Sequence, residues 1–237
     1  TRAVSFDDAF SAQVEELRSA LSCLEHCIYI GEGSCPGWAI DAEAIIKDHS
    51  PCAPSTRGSS EMAGIFYTGG TTGFPKGVMQ SHSAIWASGM GSLPMFGMTR
   101  ESRYLHVAPM FHMADFAGGM GATLSAAQNV VLQGFDPVAV MATVAEEKIT
   151  HALLVPAMIK MLLDHPDIEA ADFSSMEKII YGASPMPAAT LQRCMELWPH
   201  IGMVQAYGQT ELAPVATMLS PEDHRRGGQI LKSAGRP

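Results

Sequence analysis

The sequence predicts an α/β fold in which a largely parallel β-sheet is flanked by helices. Two patterns and one composition argument carry that expectation. Short apolar runs of strand length alternate with stretches of helical period, and short connections between them imply crossovers from strand to parallel strand. With 47% hydrophobic and 16% charged residues, the 237-residue chain is also long and apolar enough to bury a large core.

In chain order, residues 6–21 place Phe10, Val14, Leu17 and Leu21 at helical spacing, with Ser5 and Asp8 set for a capping box. Residues 27–30 read as a strand ending at Gly31, and residues 50–60, rich in Ser and Pro, as a linker. Residues 62–67 form an apolar run that opens into a Gly/Thr-rich loop. Strands are expected at 103–108 and 129–132. Asp136 then caps a helix with Pro137 in its first position and Val140, Met141 and Val144 on its buried stripe. A strand at 152–155 leads to a helix from Pro156, with Met158, Ile159 and Leu162 on one face. After a strand at 178–181, a helix from Pro187 carries Leu191, Met195 and Trp198, and residues 203–207 form the final strand. In such sheets ligand loops lie at the carboxyl ends of strands, where residues 68–77 and 208–211 fall.

Composition excludes several function classes. With 24 acidic and 15 basic residues the net charge is −9, which disfavours nucleic acid and anionic lipid as partners. No apolar run approaches the roughly 18–20 residues of a membrane span. The first eight residues lack a basic stretch leading into an apolar one, so no secretory leader is expected. Five cysteines, an odd number, suit free thiols in a reducing, cytoplasmic setting. Cys23, Cys27, Cys35 and Cys52 contain no Cys-x-x-Cys pair, which favours small buried hydrophobes over a zinc site.

Residues 67–77 read Tyr-Thr-Gly-Gly-Thr-Thr-Gly-Phe-Pro-Lys-Gly. The glycines let backbone N–H groups approach a ligand, the threonines add hydroxyl donors and Lys76 adds a positive charge. In an acidic protein that collection suits a polyphosphate. It is not a Walker A loop, because Pro75 precedes Lys76 and Gly77 follows it.

This loop resembles the phosphate-binding signature of the adenylate-forming superfamily, the acyl- and aryl-CoA synthetases, luciferases and adenylation domains. Further segments match in order. Pro-Met-Phe-His at 109–112 is similar to the Pro-x-Phe-His segment of CoA ligases, and Tyr-Gly-Ala-Ser-Pro-Met at 181–186 to the segment lying against adenine. Gln-Ala-Tyr-Gly-Gln-Thr-Glu at 205–211 resembles the Tyr-Gly-x-Thr-Glu motif, and Ser-Ala-Gly-Arg-Pro at 233–237 the turn leading onward. The resemblance implies the acyl-CoA synthetase-like fold, and that residues 1–237 are part of its large N-terminal AMP-binding domain. An upstream segment and a mobile C-terminal domain are then expected outside the chain, and the chain alone is expected not to form thioester.

The resemblance also implies roles. Thr68, Gly69, Gly70, Thr71 and Thr72 would hold the triphosphate and Lys76 would neutralise it. Gly182, Ala183, Ser184, Gln205, Ala206, Tyr207 and Gly208 would surround the nucleotide, with Tyr207 stacked on adenine. Thr210 would meet the α-phosphate region. Glu211 with Thr68 would hold Mg²⁺, a cation that prefers oxygen ligands. Phe111, His112, Met113, Phe116, Gly182 and Gln205, with Met110, would line the acyl and CoA pocket, with His112 as a wall residue. The implied reaction joins a carboxylic acid to ATP as an acyl-adenylate and passes it to CoA. Two alternatives stand beside it: an adenylation domain loading a carrier protein, and a nucleotide-binding module without turnover. Apolar surface left uncovered in such a partial domain is expected to favour a homodimer.

Overall fold

The computed structural model describes residues 1–69 and 73–237 and divides the chain into two compact units, Thr1–Thr56 and Arg57–Pro237. The division falls within the segment read as a linker, where residues 50–60 form no helix or strand.

The first unit carries β1 (Ala3–Phe6), α1 (Ser11–Ala20), β2 (His26–Tyr29), β3 (Ile40–Asp41) and α2 (Ala42–Asp48). Its three strands pair in parallel in the order β1-β2-β3 around Phe6, Val14, Cys27 and Tyr29. The expected capping box does not form. Ser5 lies in β1 opposite Ile28, and Asp7 caps the 3₁₀ turn Asp8–Phe10 instead, accepting from the Ala9 amide at 3.0 Å. Asp8 turns away to accept from the Tyr29 hydroxyl at 2.6 Å. Strand pairing to β2 has overridden the local capping preference. Of the expected helical stripe only Val14 is buried, while Phe10, Leu17 and Leu21 are exposed.

The second unit opens with β4 (Met62–Thr68) and β5 (Lys76–Ser81), an antiparallel hairpin in which Thr68 faces Lys76. This corrects the expectation that the Gly/Thr-rich loop follows a strand of the main sheet, and Lys76 opens β5 rather than sitting in the loop. The main sheet has six strands in the order β11-β10-β9-β8-β6-β7. They are β6 (Arg103–His106), β7 (Gln128–Val131), β8 (His151–Leu153), β9 (Lys178–Gly182), β10 (Gly202–Gly208) and β11 (Val215–Leu219). All neighbours pair in parallel except β11, which runs antiparallel to β10. The helices are α3 (His82–Phe96), α4 (Met113–Leu124), α5 (Pro137–Glu147), α6 (Pro156–Leu163), α7 (Ala188–Leu197) and α8 (Pro221–Arg226).

Side-chain alternation splits the core between the two faces of the sheet. Leu105, Ile179, Tyr181 and Met203 meet Val140, Val144, Ile159, Leu162, Leu191 and Cys194 on one face. Tyr104, Leu153, Ile180 and Val204 meet Phe96, Met98 and Ala122 on the other. Asp136 caps α5 as expected, accepting from the Ala139 amide at 2.9 Å. Pro187 is the N-cap of α7 rather than its first residue. The reading of cysteines as buried hydrophobes holds for Cys27 and for Cys194, whose thiol burial pushes up to about 12; Cys23 and Cys52 are exposed.

Buried histidines make stability depend on pH, His151 most of all, with His224 acting in the same sense. His151, on β8, donates from Nε2 to the Phe96 carbonyl at 3.0 Å and accepts the Thr150 hydroxyl at Nδ1 at 2.7 Å. Burial pushes its imidazole down to about 4. The unfolded chain, with an ordinary value near 6.5, therefore binds more protons between those limits, and stability is lost as pH falls through that window. The expected loss is about 3 kcal/mol, from roughly 1.4 kcal/mol per unit. His106 works in the opposite sense, since its raised value favours the fold at low pH. Unfolding midpoints measured from pH 7 to 4 should fall in the native chain and fall less in His151→Gln. Equal slopes would show that His151 is not the group responsible.

Candidate active site

A cavity of about 450 Å³ opens at the carboxyl ends of β8, β9 and β10. The end of β9 supplies Gly182 and Ala183, and the end of β10 supplies Ala206, Tyr207, Gly208 and, just beyond it, Thr210. Their backbones run close together. A Cβ at Gly182 would stand 2.1 Å from the Ala206 carbonyl oxygen, and one at Gly208 1.8 Å from that of Pro214. Ala183 follows in a left-handed conformation, φ +63°, unusual for a residue with a side chain. The pairing register of β10 with β11 shifts between Tyr207 and Gly208, and the Tyr207 ring is left 56% exposed on the cavity wall, an aromatic face open to stacking.

The opposite wall is apolar. The start of α4 brings His112, Met113, Ala114 and Ala117, and behind them lie Phe96, Leu153, Val155 and Met158. His112 is the N-cap of α4 but makes no side-chain capping bond.

The hairpin that carries the Gly/Thr-rich loop is tied to this region by one hydrogen bond. The Gln80 Nε2 of β5 donates to the Thr210 carbonyl at 2.5 Å, across 130 residues of sequence. Gln80 is buried, so this bond fixes β5 against the 3₁₀ turn Thr210–Leu212 that bears Glu211. Thr68, on the partner strand, donates its hydroxyl to the Lys76 carbonyl at 3.4 Å. Glu211 is exposed and forms no ion pair among the described residues.

The family of AMP-binding enzymes matches residues 3–237. The chain belongs to that family. It is 34% identical over 198 residues to the medium/long-chain-fatty-acid–CoA ligase FadD8 of Mycobacterium tuberculosis, covering 84% of this chain and 34% of that protein. It is 31% identical over 230 residues to the indoleacetate–CoA ligase of Aromatoleum aromaticum, covering 95% of this chain and 44% of that protein. Among solved structures, the amide bond synthetase McbA of Marinactinospora thermotolerans matches with a TM-score of 0.83 at 27% identity, over 100% of this chain and 46% of that one. The anthranilate CoA ligase AuaEII matches with a TM-score of 0.88 at 22% identity, over 100% of this chain and 45% of that one, a likeness of fold. The chain thus spans less than half the length of these relatives.

In this member of the AMP-binding family the cavity gathers His112, Met113, Gly182, Ala183, Ala206, Tyr207, Gly208 and Thr210. Others of the expected site residues lie off its wall. Phe111 is 77% exposed and leans on the His112 ring at 4.9 Å. Phe116 packs edge-on against Phe66 of β4, centroids 5.4 Å apart. Gln205 points its Oε1 to within 3.5 Å of the Tyr181 hydroxyl, and Ser184 and Met110 are exposed. Thr68, Gly69, Lys76 and Glu211 belong to the hairpin and the turn beside it rather than to the wall, while Gly70, Thr71 and Thr72 lie outside the described residues.

Sequence reasoning missed two polar relays of this family member. In one, the Tyr181 hydroxyl donates to His224 Nε2 at 2.7 Å and His224 Nδ1 donates to the Ser220 carbonyl at 2.7 Å, with burial lowering the His224 value and keeping the ring neutral. The other joins Tyr104, His106, Asp115 and Asn129. An aspartate within the otherwise apolar run Met-Ala-Asp-Phe-Ala at 113–117 was the available signal for it.

Proposed function

We propose that this AMP-binding enzyme activates a carboxylic acid with ATP and transfers the acyl group to the thiol of CoA. The observation that carries this reading is the single cavity with two unlike walls. The β9 and β10 ends offer backbone and an aromatic face suited to a nucleotide, and α4 with Leu153, Val155 and Met158 offers an apolar bed for an acyl group. The relatives that act on fatty acids and on indoleacetate support the acid and the CoA acceptor.

In the reaction, a carboxylate oxygen attacks the α-phosphorus of ATP, the bond to pyrophosphate breaks, and a mixed acyl-adenylate anhydride remains. The CoA thiolate then attacks the acyl carbon and AMP leaves with the bonding pair. Positioning and charge neutralisation do most of the work in such a substitution. Tyr207 stacks on adenine, and Gly182, Ala183, Ala206 and Gly208 frame it, with Ser184 and Gln205 off the wall beside them. Thr68, Gly69, Gly70, Thr71, Thr72 and Lys76 hold the phosphates, and Thr210 meets the α-phosphate. The Glu211 carboxylate and the Thr68 hydroxyl are hard oxygen donors that fit Mg²⁺, which when bound offsets phosphate charge. Phe111, Phe116 and Met110 lie off the pocket wall, and the acyl bed is formed without them.

The test is pyrophosphate release by the full gene product across a panel of carboxylic acids, followed by AMP and thioester formation on adding CoA. Release without any acid dependence would overturn the reading. A second acceptor is a carrier protein, which the 29% identity to the fatty acid–[acyl-carrier-protein] ligase ScoC of Streptomyces coeruleorubidus favours, over 100% of this chain and 45% of that protein. Acyl transfer to a carrier protein and not to CoA would select it. Lys76→Ala is expected to lower pyrophosphate release about tenfold, since several backbone amides share the phosphate charge with it. A loss beyond about a thousandfold, against that same scale, would make Lys76 the dominant group instead. No helix among the described residues is long and apolar enough to cross a membrane.

A further inference from the structure

A buried polar cluster is built into the α4 wall of the cavity, which Asp115 helps to line, and the reaction proposed above makes no use of it. Asp115 has no exposed surface. Its Oδ1 accepts from the Tyr104 hydroxyl at 3.0 Å, and its Oδ2 accepts from His106 Nδ1 at 2.6 Å. The remaining ring nitrogen, Nε2, faces Asn129 Oδ1 of β7 at 2.8 Å. Acceptors facing both nitrogens favour the charged form of the imidazole. Burial works against that charge, but the bonds to Asp115 and Asn129 outweigh it and raise the His106 value. One carboxylate thus ties α4 to β6, and through His106 to β7.

The tether lies where α4 needs it. Asp115 stands in the first turn, beside His112, Met113 and Ala114 on the cavity wall. No side chain caps that turn, and Gly118, Gly119 and Gly121 fall among the helix's twelve residues, each costing about 1 kcal/mol of helix stability. Gly118 and Gly119 make room for the cluster, whereas Gly121 makes room for Phe96. A Cβ at Gly118 would stand 1.9 Å from the Tyr104 hydroxyl, and one at Gly119 2.9 Å from His106 Cε1. The helix has given up local stability to seat on two polar rings, and a buried ion pair is itself a poor net stabiliser. What the arrangement gains is a defined position for the first turn.

We propose that Asp115, through Tyr104 and His106, is a positioning residue for the α4 wall, and that it sets the affinity for the acid substrate while leaving nucleotide binding alone. The proposal rests on the carboxylate-activating reading of the cavity. In the full gene product, Asp115→Asn and His106→Gln are each expected to raise KM for the acid about tenfold or more, the scale of a misplaced binding wall, with KM for ATP within about twofold. Asn129→Ala, on an exposed residue at the cluster's edge, should raise it about threefold on the same reasoning. Amide hydrogen exchange of residues 113–117 should quicken in Asp115→Asn. If both KM values rise together, or the acid KM stays put while the unfolding midpoint drops, the cluster is structural only and the proposal fails. Should Asp115→Asn not fold, Asn129→Ala and Tyr104→Phe carry the test, and an unchanged acid KM in both overturns it. If no acid drives pyrophosphate release in the native protein, it is the functional reading that fails. Exchange at 113–117 then judges the tether by itself, and unchanged rates in Asp115→Asn would dismiss it.

Discussion

Glu211→Gln is expected to cut pyrophosphate release at saturating Mg·ATP by about 10²-fold or more, near 3 kcal/mol of transition-state stabilisation. The substitution keeps the shape of the side chain and removes its charge. Glu211 is exposed in the Thr210–Leu212 turn and forms no ion pair among the described residues, so the fold should not feel the change. A carboxylate with no ion pair among the described residues, on the turn that the Gln80–Thr210 bond ties to β5, suits the cation role proposed above. The measurement is pyrophosphate release against Mg²⁺ concentration, with the unfolding midpoint as the control. An unchanged rate with an unchanged midpoint would remove Glu211 from the reaction.

Gly182→Ala should have a large effect on stability. The added methyl would meet the Ala206 carbonyl oxygen at 2.1 Å, a clash of side chain with backbone in the last paired rung of β9 and β10. No rotamer relieves it, so the strands must part. Overpacking of this kind costs about 3 kcal/mol, the upper part of its usual range. For a chain of this size that lowers the midpoint by roughly 6–12 °C. Nucleotide affinity should fall with it, because Ala183, Ala206 and Tyr207 all move when the rung opens. Gly134→Ala, where an added Cβ meets nothing within 4 Å, is the control. Matching midpoints for the two variants would show that the rung tolerates the methyl.

The contrast between helices shows what was legible before folding. α5, α6 and α7 carry their signals locally: Asp136 ahead of Pro137, Pro156 and Pro187 at helix starts, and Val140, Val144, Ile159, Leu162 and Leu191 on the stripes that the core buries. α3 and α4, which sequence analysis did not assign, carry Gly89, Gly91, Pro94, Gly118, Gly119 and Gly121, residues of low helix propensity. They are helices because they pack closely: a Cβ at Gly89 would stand 2.9 Å from Leu124 Cδ1 of the neighbouring helix. That reward appears only once the chain is folded. β5 was hidden for a related reason, since Lys76 and Gly77 have no strand propensity and gain their place by pairing with Tyr67 and Thr68.

The sequence by itself determined the alternation of strands and helices, the linker at 50–60, the Gly/Thr-rich loop and the motif segments at the ends of β9 and β10, because each is written in residues adjacent along the chain. Tertiary structure alone decided that the loop sits on a separate hairpin, that Gln80 reaches Thr210, that Phe116 packs on Phe66 instead of the cavity, and that Asp115 meets Tyr104 and His106. Each of those is a contact between residues distant in sequence or turned by a neighbouring element. Its energy comes from burial and from pairing polar groups away from water, and neither exists until the two partners meet.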